Sequence, residues 1–527
     1  MKNFLSMNFR LNRPKGFTGK GDKYLPKIIQ DLALLLRKTQ KSLKYDTLRF
    51  SDSRIRELAQ VLVELAEDVY NDIGIWKSLE QYNFEFFGTK LPLTLQPNED
   101  MGNHPINKYR IQHLLWVQYQ IIEPQLILSP AHQDLAFLSE KISNFLNERF
   151  KNMPLGSSVK TFLEQPNHYG WDVKRKLIWL GKHSYLFRQC YHNYIDQNGG
   201  EPEKAIIDDF ICQDTTCWSG LGVIDILASM LDITEKQRGD VRGWYERHAA
   251  FYKVLSINGP LVEMFNIINE QPYIVRTGEK FSNLFDEQHV YFGSLVPWNV
   301  EWYWSGVQQK FNTVSDKELR EMKKNFLNKT PFIAYRYCKD LADKVREAVK
   351  DHYENFLKYH GKDLVVYSDG HSMSADLQKQ YFIQNKSRLQ NVPSSSVDYH
   401  RNKVPDLTTS FPTELLESNN GVGVFFNPDE GQEIMQEFYD IINGFKKKGV
   451  NLSGDEQNAI RGFISSNVIS PRFVRKLIQE YGDKSIAAAF LIPDSVNNYF
   501  LDYFLRRYKG VFYRNRYPSI SFVQALK

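Results

Sequence analysis

At residue 271 the hydrophobic period of this chain changes, and that change limits the architectures open to it more than any other feature. Upstream, apolar residues recur at helical spacing. IIQDLALLLRKTQKSL places Ile28, Leu32, Leu35 and Leu36 on one face, as an amphipathic helix requires. In SDSRIRELAQVLVELAEDVY, Ile55, Leu58, Leu62, Leu65 and Val69 form one stripe, and Asp52 or Ser53 suits the N-cap. From 271 onward the runs QPYIVRT, KFSNLF and HVYFGSLVPWNVEWYWSGVQQKF are short, β-branched and aromatic, with turn residues between them. They read as three or four antiparallel strands over 271–311, a small sheet or barrel-like insert. Pro297-Trp298-Asn299 interrupts two strand-like runs and suits a hairpin. A chain that carries both periods is α+β, here predominantly α-helical with a small antiparallel β insert.

Helices are also expected at 108–122, 131–150, 172–193 and 240–255, with helix and a tight SGLG turn alternating over 203–233. Helical pattern returns at 316–327 and 332–359, then DLVVYSDG reads as strand and turn, and 375–389 as helix. GVGVFFNPDEGQEIM reads as a buried strand, a turn and a helix start. The modules expected are a basic arm (1–26), a helical body (27–255), a β-rich insert (256–315), a helical and mixed region ending in a Pro/Ser-rich loop or linker (316–410), and a mixed strand/helix C-terminal module with a basic-aromatic tail (411–527). A length of 527 residues suits about three or four domains at roughly 100–200 residues each.

Net charge is +5, and its location matters more than its size. The first 30 residues hold seven Lys or Arg against Asp22, and from Leu501 onward six basic residues face Asp502 alone. Both ends are basic while the remainder is slightly acidic, unlike a protein that coats polyanions along its whole length. Four cysteines, Cys190, Cys212, Cys217 and Cys338, are too few for a disulfide framework, so a reduced, cytoplasmic setting is expected. MKNFLSMNFRLNRPKGF lacks the apolar core of a signal peptide, and no run of 18 apolar residues occurs. No membrane association is expected.

The run LRRYKGVFYRNRYPSISF carries the most chemistry. Arg506, Arg507, Lys509, Arg514 and Arg516 alternate with Tyr508, Phe512, Tyr513 and Tyr517. Guanidinium forks fit phosphates and rings stack on bases, so this pattern suits single-stranded nucleic acid. Its structural alternative is a closing β-hairpin around Gly510, with rings in the core and cations snorkelling or paired. Lys446, Lys447 and Lys448 would extend the same basic face. Two helices expected over Gly454–Ser465 and Pro471–Tyr481 have helix-turn-helix length, and the second carries Arg472, Arg475 and Lys476.

Enzyme candidates are fewer. Asp369 and His371 follow a strand, with His400 and Asp398 as partners from the later loop, but a polar turn is the preferred account of them. Cys190, His192, Cys212 and Cys217 have no second pair at zinc spacing, and buried thiols are the simpler reading. No phosphate-binding glycine loop or nucleophile elbow is present, and no cofactor or metal is expected. The Trp/Gly-dense stretches WSGLGVID and PWNVEWYWSG either line a pocket or fill the core.

The stretches GVGVFFNPDEGQEI, INGFKKKG, ISPRFVRKLI and RRYKGVFYRNRYPSIS resemble an uncharacterised family of unknown function typical of Bacteroidetes, over about the last 110 residues. The resemblance implies a bacterial cytoplasmic setting and supplies no catalytic residue. The functional readings then rank as binding of nucleic acid, or of a nucleoprotein or acidic protein partner, through the C-terminus; an interaction scaffold; and an enzyme of unfamiliar type using Asp369 and His371. Oligomeric state is left open.

Overall fold

The structure is a computed structural model, and it describes residues 9–44, 48–94, 106–278, 282–312, 314–329, 339–390, 411–493 and 500–514. The chain divides into two compact units. The first comprises Met1–Tyr337 with Leu491–Gly510, the second Cys338–Phe490 with Val511–Lys527. The fold is α+β and predominantly helical.

The helical part of the first unit is arranged about the helix Asp52–Asn71. Its stripe of Ile55, Leu58, Leu62 and Leu65 is buried as expected, but the helix also turns Glu64, Glu67 and Asp68 inward. Each carboxylate is matched. Glu67 takes both nitrogens of Arg13 at 2.9 and 2.6 Å, and Glu64 takes Arg188 at 3.0 Å. Asp68 accepts the backbone N–H groups of Gly74, Ile75 and Trp76 at 2.8, 3.1 and 2.8 Å. It thereby satisfies the first turn of the next helix, Ile75–Phe87, whose N-cap Gly74 has no side chain to do so. The Tyr185 hydroxyl adds a fourth bond at 2.7 Å.

The β region is larger than its pattern suggested. Five strands, β1 (His248–Asn258), β2 (Leu261–Asn266), β3 (Pro272–Arg276), β4 (Val290–Trp298) and β5 (Glu301–Phe311), close into a barrel ordered β1-β2-β3-β5-β4. The helix expected at 240–255 is therefore split: helix ends at Gly243 and β1 begins at His248. The alternation of buried Ala250, Tyr252 and Val254 marks a strand of period two. β1 pairs with β4 through its first half and with β2 through its second, and its register shifts between Val254 and Ser256. That bulge bends one long strand around the barrel. β3 and β5 meet in parallel at Val275 and Trp302, so the sheet is not wholly antiparallel. This strand order is that of the OB-fold, a five-stranded Greek-key barrel. The expected hairpin is present as the β4–β5 turn, with Asn299 at φ 58°.

In the second unit, β6 (Leu364–Tyr367), β7 (Val422–Asn427) and β8 (Gly431–Met435) form an antiparallel sheet. Helices cover both of its faces. Val422, Val424 and Phe426 join Phe356, Met373 and Leu377 on one side, while Phe425 stacks on Phe473 at 4.8 Å on the other. Every residue of β7 is buried, as befits a strand covered twice. The helix start expected within GQEIM is instead β8. Gly431, at φ 98°, closes the hairpin, and buried Glu433 accepts from Ser470 N at 2.7 Å and Asn427 Nδ2 at 3.0 Å.

Removing the Asp68 carboxylate leaves three backbone donors and a tyrosine hydroxyl without their acceptor. Asp68→Ala is expected to lower stability by about 2–4 kcal/mol, read as a fall in urea midpoint with unchanged slope. A loss no larger than that of an exposed substitution such as Asp72→Ala would show that the cap is dispensable.

Candidate functional site

A cavity of about 600 Å³ opens where the barrel meets the start of the helix Gly170–His183. Local sequence explains its shape. Gly170 lies against the Tyr303 ring, which a Cβ there would approach to 2.7 Å, so the helix docks directly on β5. Trp171 then meets Tyr303 edge-on at 5.4 Å. Gly293 in β4 faces the Trp304 ring in the same way, which lets that indole lie across the barrel wall. Between β3 and β4 the described structure is a single 3-10 turn, Ser282–Leu284, and Phe285 beyond it stacks parallel to Trp304.

The lining combines rings and cations. Trp171, Phe285, Tyr291, Tyr303 and Trp304 supply the rings, and Lys174, Arg276 and Lys310 the charge. Among the described residues no carboxylate belongs to the lining, and the described acids lie behind the cations and aim them. Arg276 is gripped by both oxygens of Glu301 and lies 5.5 Å from the Tyr169 ring centre. Lys310 donates to Asp286 at 2.9 Å beside the Tyr291 ring. Lys174 donates to Asp208 and, at 2.7 Å, to the Ser305 hydroxyl, which itself donates to Asp208 at 2.7 Å. Arg247 completes this group with bonds to Asp208 and Asp209. Burial pushes the Asp208 carboxyl up, but Lys174 and Arg247 outweigh it and hold the group below its ordinary value. Hydrogen bonds from His289 and then Lys310 bring Asp286 down to about 2, and that from Arg276 lowers Glu301. The acids on which these cations rest therefore stay ionised at neutral pH. The Trp304 indole nitrogen is buried without a hydrogen-bond partner among the described residues. Such a site can stack a planar ring, and its carboxylate-paired cations can still donate hydrogen bonds to an anion.

The C-terminal residues singled out from sequence take a different role. Over its described part the run does not form the hairpin expected around Gly510: Phe500–Lys509 is a helix, followed by the 3-10 turn Gly510–Tyr513. Arg506, Arg507 and Lys509 are buried, at 1%, 9% and 0% exposure. Arg506 donates to Asn83 Oδ1 at 2.9 Å and Thr89 Oγ1 at 2.5 Å and lies over the Phe87 ring. Arg507 lies over Trp116. A helix with Tyr503, Phe504 and Leu505 in the core carries its neighbouring cations inward with it, so these three do not present a phosphate-binding face. Tyr513 is exposed and Arg514 half-buried. Arg516 lies outside the described residues, as does the rest of the tail.

In the second unit Lys446, Lys447 and Lys448 are exposed at a helix end, with Lys447 paired to Glu456 at 2.8 Å. The two helices of helix-turn-helix length form with the expected bounds. However, Arg472 is paired with Asp429 and Lys476 with Asp363, while Phe473, Val474 and Leu477 are buried, so the second helix is committed to packing. Asp369 caps the helix Gly370–Gln390: it accepts from Ser372 N at 2.7 Å and from the hydroxyls of Ser368 and Ser372. These bonds bring its carboxyl down to about 2, and His371 is exposed. His400 and Asp398 lie outside the described residues. No cluster of metal-ligating side chains occurs among the described residues, and no helix among them is long and apolar enough to cross a membrane.

Sequence reasoning named the Pro297–Gly306 stretch as pocket or core, and it is both: Trp298 is fully buried, while Tyr303 and Trp304 line the cavity. It missed Trp171, Lys174, Arg276 and Lys310, which come from three separate segments. Only the GW pair at the start of a helix offered a local signal.

Burial of the C-terminal helix has a consequence for pH. His113 is 1% exposed, ringed by Trp76, Trp116, Trp218 and Tyr503, and neither ring nitrogen has a hydrogen-bond partner among the described residues. Burial, with Arg507 adding, brings its pKa down to about 3. The unfolded chain therefore binds the proton first. The contribution is complete above about pH 6.5 and is lost as pH falls toward about 3. In His113→Phe, stability measured by urea titration should fall less steeply across that window, and an unchanged slope would show that His113 is protonated in the fold.

Comparison with curated proteins gives no match, and comparison with solved structures gives none. Residues 22–202 match the model of a family described as protein of unknown function (DUF3843). A relationship to a family of unknown function therefore holds, but over the helical front, which contributes Gly170, Trp171 and Lys174 to the cavity, rather than over the C-terminal residues that carried the resemblance.

Proposed function

We propose that the protein binds single-stranded nucleic acid, with a base inserted among the rings of the barrel cavity and its phosphates on the surrounding cations. The observation that carries this reading is the lining itself: among the described residues it holds five aromatic rings and three cations and no carboxylate. Stacking on rings tolerates any base, and cations track the backbone. The volume suits a nucleotide-sized group. Barrels of this strand order bind oligonucleotides on the β2–β3 face and the β1–β2 and β4–β5 loops, whereas this cavity draws on the end of β3, β4 and β5, so the reading rests on the lining and not on the fold. This reading keeps the class of partner expected from sequence and moves the contact from the C-terminal run to the barrel. The scaffold reading has scattered exposed side chains such as Leu255, Ile257 and Ile274 as its support. The enzyme reading loses Asp369 to helix capping.

The test is fluorescence anisotropy with a labelled 15-nucleotide oligo(U). Affinity should fall steeply with salt, Trp171→Ala should weaken binding by roughly 5- to 100-fold, the range of one stacking contact, and Lys310→Ala should weaken it and reduce the salt slope by about 1. Lys446→Ala combined with Lys448→Ala should leave affinity unchanged. Binding lost in that pair and kept in Trp171→Ala would move the contact to the second unit and sink the reading, as would no binding at low salt.

A further inference from the structure

Cys190 and Cys217 are far apart in sequence, yet their sulfurs lie 3.7 Å apart. Cys190 belongs to the helix Arg188–Gln197. Cys217 sits in the tight turn closed by Thr216, whose N–H and hydroxyl both donate to Leu221 O. Cys190 and Cys217 are half-buried as residues, whereas Cys212 is buried. The Arg507 guanidinium stands near the pair, and its Nε and Nη1 are buried without a hydrogen-bond partner among the described residues. Two sulfurs in contact, with the Arg507 charge favouring a thiolate against the Asp214 carboxylate, are a setting in which the reactive thiolate forms. We propose that Cys190 and Cys217 are a redox-active dithiol, oxidised to an intramolecular disulfide by hydroperoxides.

The electronic asymmetry of the pair agrees. The Cys190 S–H bond to Cys217 sulfur lowers the Cys217 thiol; burial opposes this and Arg507 adds to it. The same bond raises Cys190 well above an ordinary thiol. Cys217 is thus the attacking sulfur and Cys190 the resolving one. The Cys217 thiolate attacks one peroxide oxygen and breaks the O–O bond, giving a sulfenic acid and a hydroxide that takes a proton to become water. Cys190 sulfur then attacks Cys217 sulfur and displaces hydroxide, which leaves as water with the Cys190 proton. Two thiols and one hydrogen peroxide give one disulfide and two waters.

The bridge would fasten the 216–221 turn to the Arg188–Gln197 helix. That turn also holds the C-terminal helix of the first unit. Gly220, at φ +71°, lies so close that a Cβ there would stand 2.1 Å from the Arg506 carbonyl oxygen, and Tyr503 donates to Cys217 O at 3.5 Å. This inference is independent of the barrel cavity and does not rest on the nucleic-acid reading.

The full chain is treated with hydrogen peroxide near neutral pH, then denatured, alkylated and mapped by mass spectrometry. The peptides of Cys190 and Cys217 should lose their alkylated forms together and appear as one linked pair within a single chain, reversed by dithiothreitol, while Cys212 stays alkylable. In Cys190→Ser, Cys217 should stop at the sulfenic acid and be trapped by dimedone. Arg507→Lys should keep the reaction, and Arg507→Gln should slow it by about tenfold. Should Arg507→Gln not fold, the mapping of the unaltered chain and of Cys190→Ser decides. Oxidation of Cys217 past the sulfenic stage with Cys190 still alkylable would overturn the proposal. So would both thiols remaining free while Cys212 reacts.

Discussion

Three carboxylates turned inward from one helix set the plan of the first unit. Glu64, Glu67 and Asp68 lie within about one turn of Asp52–Asn71, and burying them unpaired would be prohibitive. Each therefore dictates a partner. Glu67 draws in Arg13 from the N-terminal segment, Glu64 draws Arg188 from the helix that also carries Cys190, and Asp68 fixes the start of Ile75–Phe87. Apolar surface drives these segments together without direction. The acids supply the direction, since only one arrangement satisfies all three.

Much of the fold was legible because its signals are local. The helix Lys108–Ile122 and the pair Gly454–Ser465 and Pro471–Tyr481 have the bounds that caps and periodicity indicate, with Asn107, Ser453 and Ser470 accepting at their N-termini. The failures have a common cause. β1 contains Tyr252 and Val254 but also Ala249 and Ala250, so its alternation is hidden in a stretch that also fits a helix. GQEIM follows a turn and carries helix-compatible Glu and Met, yet Glu433 is held in a strand by Asn427 and Ser470, distant groups that no local window contains.

The site shows the same division more sharply. The basic-aromatic C-terminal run is conspicuous as text, and its arginines are nevertheless interior. Whether an arginine faces water depends on the moment of the helix that carries it, and here Asn83, Thr89 and Phe87 from a remote helix end receive it. Arg506 shows that neutral acceptors and a ring can receive a guanidinium in the interior. The cavity was invisible for the converse reason. Its residues come from a helix start, the end of β3 and the length of β5, and only barrel closure brings them together. The part that was foreseen, the Pro297–Gly306 stretch, is the part concentrated in sequence.

The first unit is made of two pieces of chain, Met1–Tyr337 and Leu491–Gly510. The second piece carries Tyr503 and Phe504, which pack on Trp116, and Arg506, which closes over Phe87. During synthesis at about 5–20 residues per second, the rings around His113 must wait for more than 150 intervening residues to emerge before their last neighbours arrive. The N-terminal unit is thus begun first on the ribosome and closed only near the end of synthesis, after most of the second unit has emerged, and its seam stays unfilled in the interval.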